Sequence, residues 1–69
     1  MNFTIVYEQE DDGRWLAEVP ELLGVLAYGS NAQEAMSRVE ALALRVIADR
    51  LEHSESQAVA INISIPAAA

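Results

Sequence analysis

Hydrophobic positions recur with a period near two at both ends of this chain and with a helical period in its middle. Residues 3–8, Phe3-Thr4-Ile5-Val6-Tyr7-Glu8, are β-branched and aromatic and alternate in part, which predicts a strand. Asp12-Gly13 follows as a hairpin turn signal, because Gly and Asp tolerate positive φ. Residues 14–19, from Arg14 to Val19, form the return strand. Pro20 has no N–H to donate, so it stops the ladder or sits at its edge. The connector Pro20-Glu21-Leu22-Leu23-Gly24 leads to a third strand over residues 25–28, ended by Gly29.

A helix is predicted from Ala32 to Glu52. Asn31 with Glu34 three residues later has the spacing of a capping box, and Ser30 with Gln33 competes for the same role. Asn31 is the favoured start. No Gly or Pro interrupts the run, and Ala, Leu, Met, Glu and Arg are strong helix formers. Ala35, Val39, Leu42 and Val46 recur at spacings of three and four, and Met36, Ala43 and Ile47 widen that stripe. Leu44, Ala48 and Leu51 fall partly outside it, an apolar surplus that points either to a partner surface or only to a slightly broad core contact. After the polar loop from His53 to Gln57, residues 58–65 alternate almost without error. Val59, Ile61, Ile63 and Ile65 share one face of this last strand.

The predicted order is β-β-β-α-β, an α+β fold. Short loops make the first three strands an antiparallel meander. The helix then returns the chain, so the last strand runs parallel to the first by a right-handed crossover. Placed beside strand one, it gives a single four-stranded sheet of order 3-2-1-4 with one helix on one face. Residues 1–66 form one domain, with 67–69 a frayed tail. The other sheet face must be solvated or covered by another chain. The last strand is an edge with an apolar face, and edges of that kind are handled by covering or pairing. A dimer or higher oligomer is therefore expected.

Charge narrows the function. The 69 residues carry eleven Asp+Glu against four Lys+Arg, all arginines, for a formal net charge of −7. Phosphate binding needs clustered Lys/Arg, so direct nucleic-acid binding is not expected. An anionic membrane is an equally poor partner, and no apolar run approaches the roughly 18 residues of a membrane span. The start Met1-Asn2-Phe3 lacks the basic residues of a signal peptide, so a cytoplasmic location is expected. With no cysteine there is neither a disulfide framework nor a thiolate metal site. A domain of roughly 60 residues buries only about 60% of its unfolded surface, which again favours assembly as the staple.

The residues offer little for catalysis. Glu10, Asp11 and Asp12 are adjacent in a turn and splay apart. They lack the alternating ligands and closing Glu of an EF-hand loop. His53 lies at a helix end without a nucleophile oriented beside it. Gly13, Gly24 and Gly29 are isolated and form no phosphate loop. No enzyme activity, metal or cofactor is expected. Trp15 reads as a core residue or a protein-interface anchor, Tyr28 is a candidate for protein contact, and the acidic turn Glu10, Asp11 and Asp12 could attract a basic protein. These five residues are the candidate partner-binding set. The hairpin register is open in the sequence, and with it the face that Trp15 occupies.

The stretch from Tyr7 to Glu52 resembles the HicB antitoxin family. The resemblance lies in the acidic turn ending Asp12-Gly13, the strand Trp15 to Val19, and the connector Pro20-Glu21-Leu22-Leu23-Gly24. The strand to Tyr28-Gly29, the cap, and Glu34-Ala35 opening the long helix complete it. Leu23 stands where the family typically has a second proline, and Ser30-Asn31 where it has Asp-Thr. The resemblance implies a partly formed RNase H-like fold and assembly as a homodimer or tetramer. It also implies that the chain binds and occludes a small basic HicA-type ribonuclease toxin that cleaves mRNA. Family members often carry a C-terminal DNA-binding domain. This chain stops soon after its last strand, so DNA binding is not implied for it. RNase H chemistry needs several carboxylates on two metals, and strand one offers Glu8 alone. The alternative is an orphan, self-assembling structural or regulatory oligomer without a toxin.

Overall fold

A computed structural model describes residues 1–53, 58 and 60–65. Five strands and one helix follow in order: β1 (Asn2–Thr4), β2 (Val6–Gln9), β3 (Trp15–Glu18), β4 (Leu26–Gly29), α1 (Ala32–His53) and β5 (Asn62–Ser64). The expected segment 54–57 of the polar loop and the tail 67–69 lie outside the described residues.

β2, β3 and β4 form the antiparallel meander. The hairpin register sets Gln9 opposite Trp15 and Val6 opposite Glu18. Trp15 faces Gly29 and Glu18 faces Leu26 across the second pair. The turn is closed by the Gly13 N–H donating to the Glu10 carbonyl at 2.9 Å and the Glu10 N–H donating to the Arg14 carbonyl at 2.7 Å. Gly13 has φ +92°, the left-handed conformation that follows such a turn in longer hairpin loops and that glycine adopts without steric cost.

The expected single sheet of order 3-2-1-4 is not what forms. There are two sheets, one of order β2-β3-β4 and one in which β1 pairs with β5. The segment read as one first strand is two strands, β1 and β2, divided at Ile5. Pro20 supplies a reason. Continued past Val6 and Glu18, the hairpin register would set Thr4 opposite Pro20. Pro20 has no N–H, so the Thr4 carbonyl would find no donor in that rung, which is left at best half-made. The Thr4 N–H donates instead to Glu21 Oε1 at 3.2 Å. On the other side, the Ile5 N–H donates to the Ser64 carbonyl at 2.9 Å, which carries the chain across the break. β1 and β5 are parallel, with Phe3 opposite Ile63, as the crossover argument requires. Among the described residues the last strand covers Asn62–Ser64 and leaves out 58, 60, 61 and 65 of the predicted 58–65; Val59 lies outside the described residues.

The helix starts where the cap was expected. Asn31 Oδ1 accepts the Glu34 N–H at 2.8 Å, and the Asn31 carbonyl accepts the first helical N–H, from Ala35, at 3.1 Å. Glu34 Oε1 reaches back to accept the Ser30 N–H at 3.0 Å. Two N–H groups at the helix start are thereby satisfied by side chains, the logic of a capping box shifted by one residue. Ala35, Val39, Ala43 and Ile47, spaced four apart, are the buried face of α1. They meet Phe3, Ile5, Ala17, Val19, Leu22 and Val25 in one core. Small residues set the helix close to the sheet. A Cβ on Gly29 would lie 2.5 Å from the Ala35 nitrogen, so β4 can enter the helix start only without a side chain there.

Between β3 and β4 the connector forms two successive turns. The Leu22 N–H donates to the Val19 carbonyl and the Val25 N–H to the Leu22 carbonyl. This geometry sends Leu22 into the core and leaves Leu23 fully exposed. No buried polar or charged residue interrupts the described core.

A candidate protein-docking face

Side chains alternate across a strand, so the register sorts the meander into two faces. Phe3, Ile5, Ala17, Val19 and Val25 are buried toward α1, with Tyr7, Trp15 and Ala27 packed against them. The intervening positions face away from the helix: Val6 and Glu8 on β2, Leu16 and Glu18 on β3, Leu26 and Tyr28 on β4. Val6 is 37% exposed, Leu26 45% and Tyr28 38%. This face is apolar in its floor and carries two carboxylates.

A depression of about 170 Å³ lies on it, lined by Val6, Tyr7, Glu8, Leu16 and Glu18. Val6 opposes Glu18 and Glu8 opposes Leu16. The two apolar residues and the two glutamates therefore occupy opposite diagonals of one square. Diagonal neighbours on a sheet lie roughly 7–8 Å apart. Among the described residues, the ion pairs are Arg14–Asp12, Arg38–Glu34 and His53–Asp49. Neither Glu8 nor Glu18 takes part in one.

The rim of this face is built by Arg14. Its guanidinium stands 4.4 Å from the centre of the Tyr28 ring, and its Nε donates to Asp12 Oδ2 at 2.7 Å. The Arg14 backbone N–H also donates to Asp12 Oδ1. The backbone N–H of Arg14, then its side chain, hold the Asp12 carboxyl below the usual carboxylate range. At the far edge of the sheet, Arg38 Nη1 donates to the Tyr28 carbonyl at 2.9 Å. An edge carbonyl is thus occupied, one of the ways a sheet edge is made unavailable to another strand.

The five residues singled out from the sequence do not form one site. Tyr28 lies on the open face. Glu10 precedes the turn at its margin, and Asp11 and Asp12 are exposed on the turn beyond it. Trp15 lies on the opposite side, toward the helix, with its ring 6.3 Å from that of Tyr7. The residues that make the depression, Val6, Glu8, Leu16 and Glu18, were missed by sequence reasoning. Their signal is the even numbering they share on β2 and β3, which becomes a face only once Gln9 is known to oppose Trp15.

Among the described residues no three His, Cys, Asp or Glu side chains gather to hold a metal, and no helix is long and apolar enough to cross a membrane. Compared with protein-family models, with curated proteins and with solved structures, the chain matches none.

Proposed function

We propose that this chain is a HicB-like antitoxin module. It would bind a small basic ribonuclease of the HicA type as a protein, in the cytoplasm, and occlude its active site without catalysis of its own. One observation carries the reading: the three-stranded sheet is covered by α1 on one side and by nothing among the described residues on the other. The uncovered side combines Val6, Leu16, Leu26 and Tyr28 with Glu8 and Glu18. An apolar floor between carboxylates suits a cationic protein surface, and complementary charge raises encounter rate and specificity. The net charge of −7 acts in the same direction. The proposal keeps the partly formed RNase H-like arrangement that the HicB resemblance implies, with its sheet divided at Ile5.

The test is co-expression with the small basic protein encoded beside the gene, followed by affinity capture of the tagged chain and a growth assay. The proposal predicts a stoichiometric complex and relief of growth arrest. Growth arrest that persists, with the basic protein absent from the captured fraction, contradicts it.

A self-assembling oligomer is the second reading, favoured by β5. Ile61 is 39% exposed and Ile65 50% exposed, and among the described residues β5 pairs with β1 alone. Sedimentation of the purified chain separates the readings. An oligomer that leaves the β2–β4 face open still accepts a toxin, whereas one that consumes this face does not.

A further inference from the structure

We infer that the depression between Glu8 and Glu18 is a socket for one arginine side chain of a partner protein. This inference deepens the docking reading above and rests on it for the partner, but not for the chemistry of the socket. Any protein that covers Val6, Leu16 and Leu26 also covers the two glutamates set among them. A carboxylate taken out of water without a cation is strongly unfavourable. None of the described ion pairs supplies that cation from within the chain. The occupant must therefore bring it.

The occupant is narrowed further by shape. At about 170 Å³ the depression falls below the roughly 300 Å³ at which small-molecule pockets begin. It is of a size for a side chain. An arginine stem lies along the apolar diagonal, Val6 and Leu16, while its charged head lies between the carboxylates of the other diagonal. The planar guanidinium presents five N–H donors in a fixed fork and can serve two carboxylates at once, whereas an ammonium acts as a point charge. A second copy of this chain packed face to face on this surface would set its own Glu8 and Glu18 against these. Like charges so placed repel.

The experiment titrates the whole chain with Nα-acetyl-arginine amide and, separately, with the neutral isostere Nα-acetyl-citrulline amide, followed by backbone amide shifts. The arginine derivative is expected to bind with a Kd on the order of millimolar. Its shifts should be confined to residues 6–8 and 16–18. Citrulline should give none, and the double variant Glu8→Gln/Glu18→Gln should remove the arginine response while keeping a dispersed spectrum. Equal responses to the two compounds, an arginine response that survives the double variant, or shifts centred elsewhere overturn the socket. A second arm measures the same double variant against the basic protein of the pull-down, where a loss of at least tenfold in affinity is expected and unchanged affinity contradicts. If the arginine arm succeeds while no basic protein binds, the socket stands and the antitoxin reading falls.

Discussion

Gly29 and Glu34 show how single residues set the geometry on which the docking face depends. At Gly29 the constraint is steric: a methyl group has no room against the Ala35 backbone. Gly29→Ala should destabilise the fold by about 1–3 kcal/mol, read as a lowered urea midpoint with an unchanged slope. An unchanged midpoint would mean that β4 and α1 separate freely. At Glu34 the constraint is electrostatic. The Ser30 N–H, then the Arg38 charge, lower its pKa. Glu21 is lowered by its own backbone N–H and by that of Thr4. A carboxylate whose folded pKa is depressed contributes stability that is fully present above its unfolded pKa and lost as the pH falls through the folded value. Thermal midpoints should therefore be flat around neutrality and fall below the ordinary carboxylate range of about 4. Glu34→Gln should be less stable than wild type at pH 7, with the difference closing in acid. A difference that persists unchanged at low pH contradicts the assignment. Sequence reading found this cap from Asn31 and Glu34 because capping is local. It could not place Glu21, whose partner Thr4 is 17 residues away in the chain.

At the level of elements, Pro20 and Glu21 act together to divide the first strand. Pro20 withholds the donor that the Thr4 carbonyl would need in a continued ladder, and Glu21 takes up the Thr4 N–H, whose partner there would have been the Pro20 carbonyl. Replacing Glu21 by Ala should speed hydrogen exchange at the Thr4 amide by tenfold or more and leave the Leu16 amide, in the middle of the meander, unaffected. Equal protection of Thr4 in both proteins would show that its N–H has another acceptor. The order of elements and the helix limits were legible because each depends on periodicity and caps within one segment. The break at Ile5 was not, although Pro20 had been recognised as a ladder stop. Seeing which residue loses its partner requires the hairpin register, and an acidic turn of several residues leaves that register open. The same gap concealed the side of the sheet on which Trp15 lies. An aromatic between Arg14 and Leu16 reads equally well as anchor or core until Gln9 is placed opposite it.

Among the described residues, the β2-β3-β4 sheet is dressed on one side by a helix and bare on the other. Its competing surface is the outward side of α1, where Leu44 is 50% exposed and Ala41 and Ala48 flank it. That stripe has no charge set into its floor, whereas the sheet face does. Binding through the sheet face should therefore be steered by charge, with an association rate that falls as salt rises past the point where the screening length drops below about 10 Å. The most direct measurement is amide chemical-shift mapping of the isotope-labelled chain on addition of the small basic protein encoded beside it. The docking account predicts that the largest changes fall on Val6, Glu8, Leu16, Glu18, Leu26 and Tyr28. Changes confined to Ala41, Leu44 and Ala48, or a spectrum that does not change at all, would contradict it.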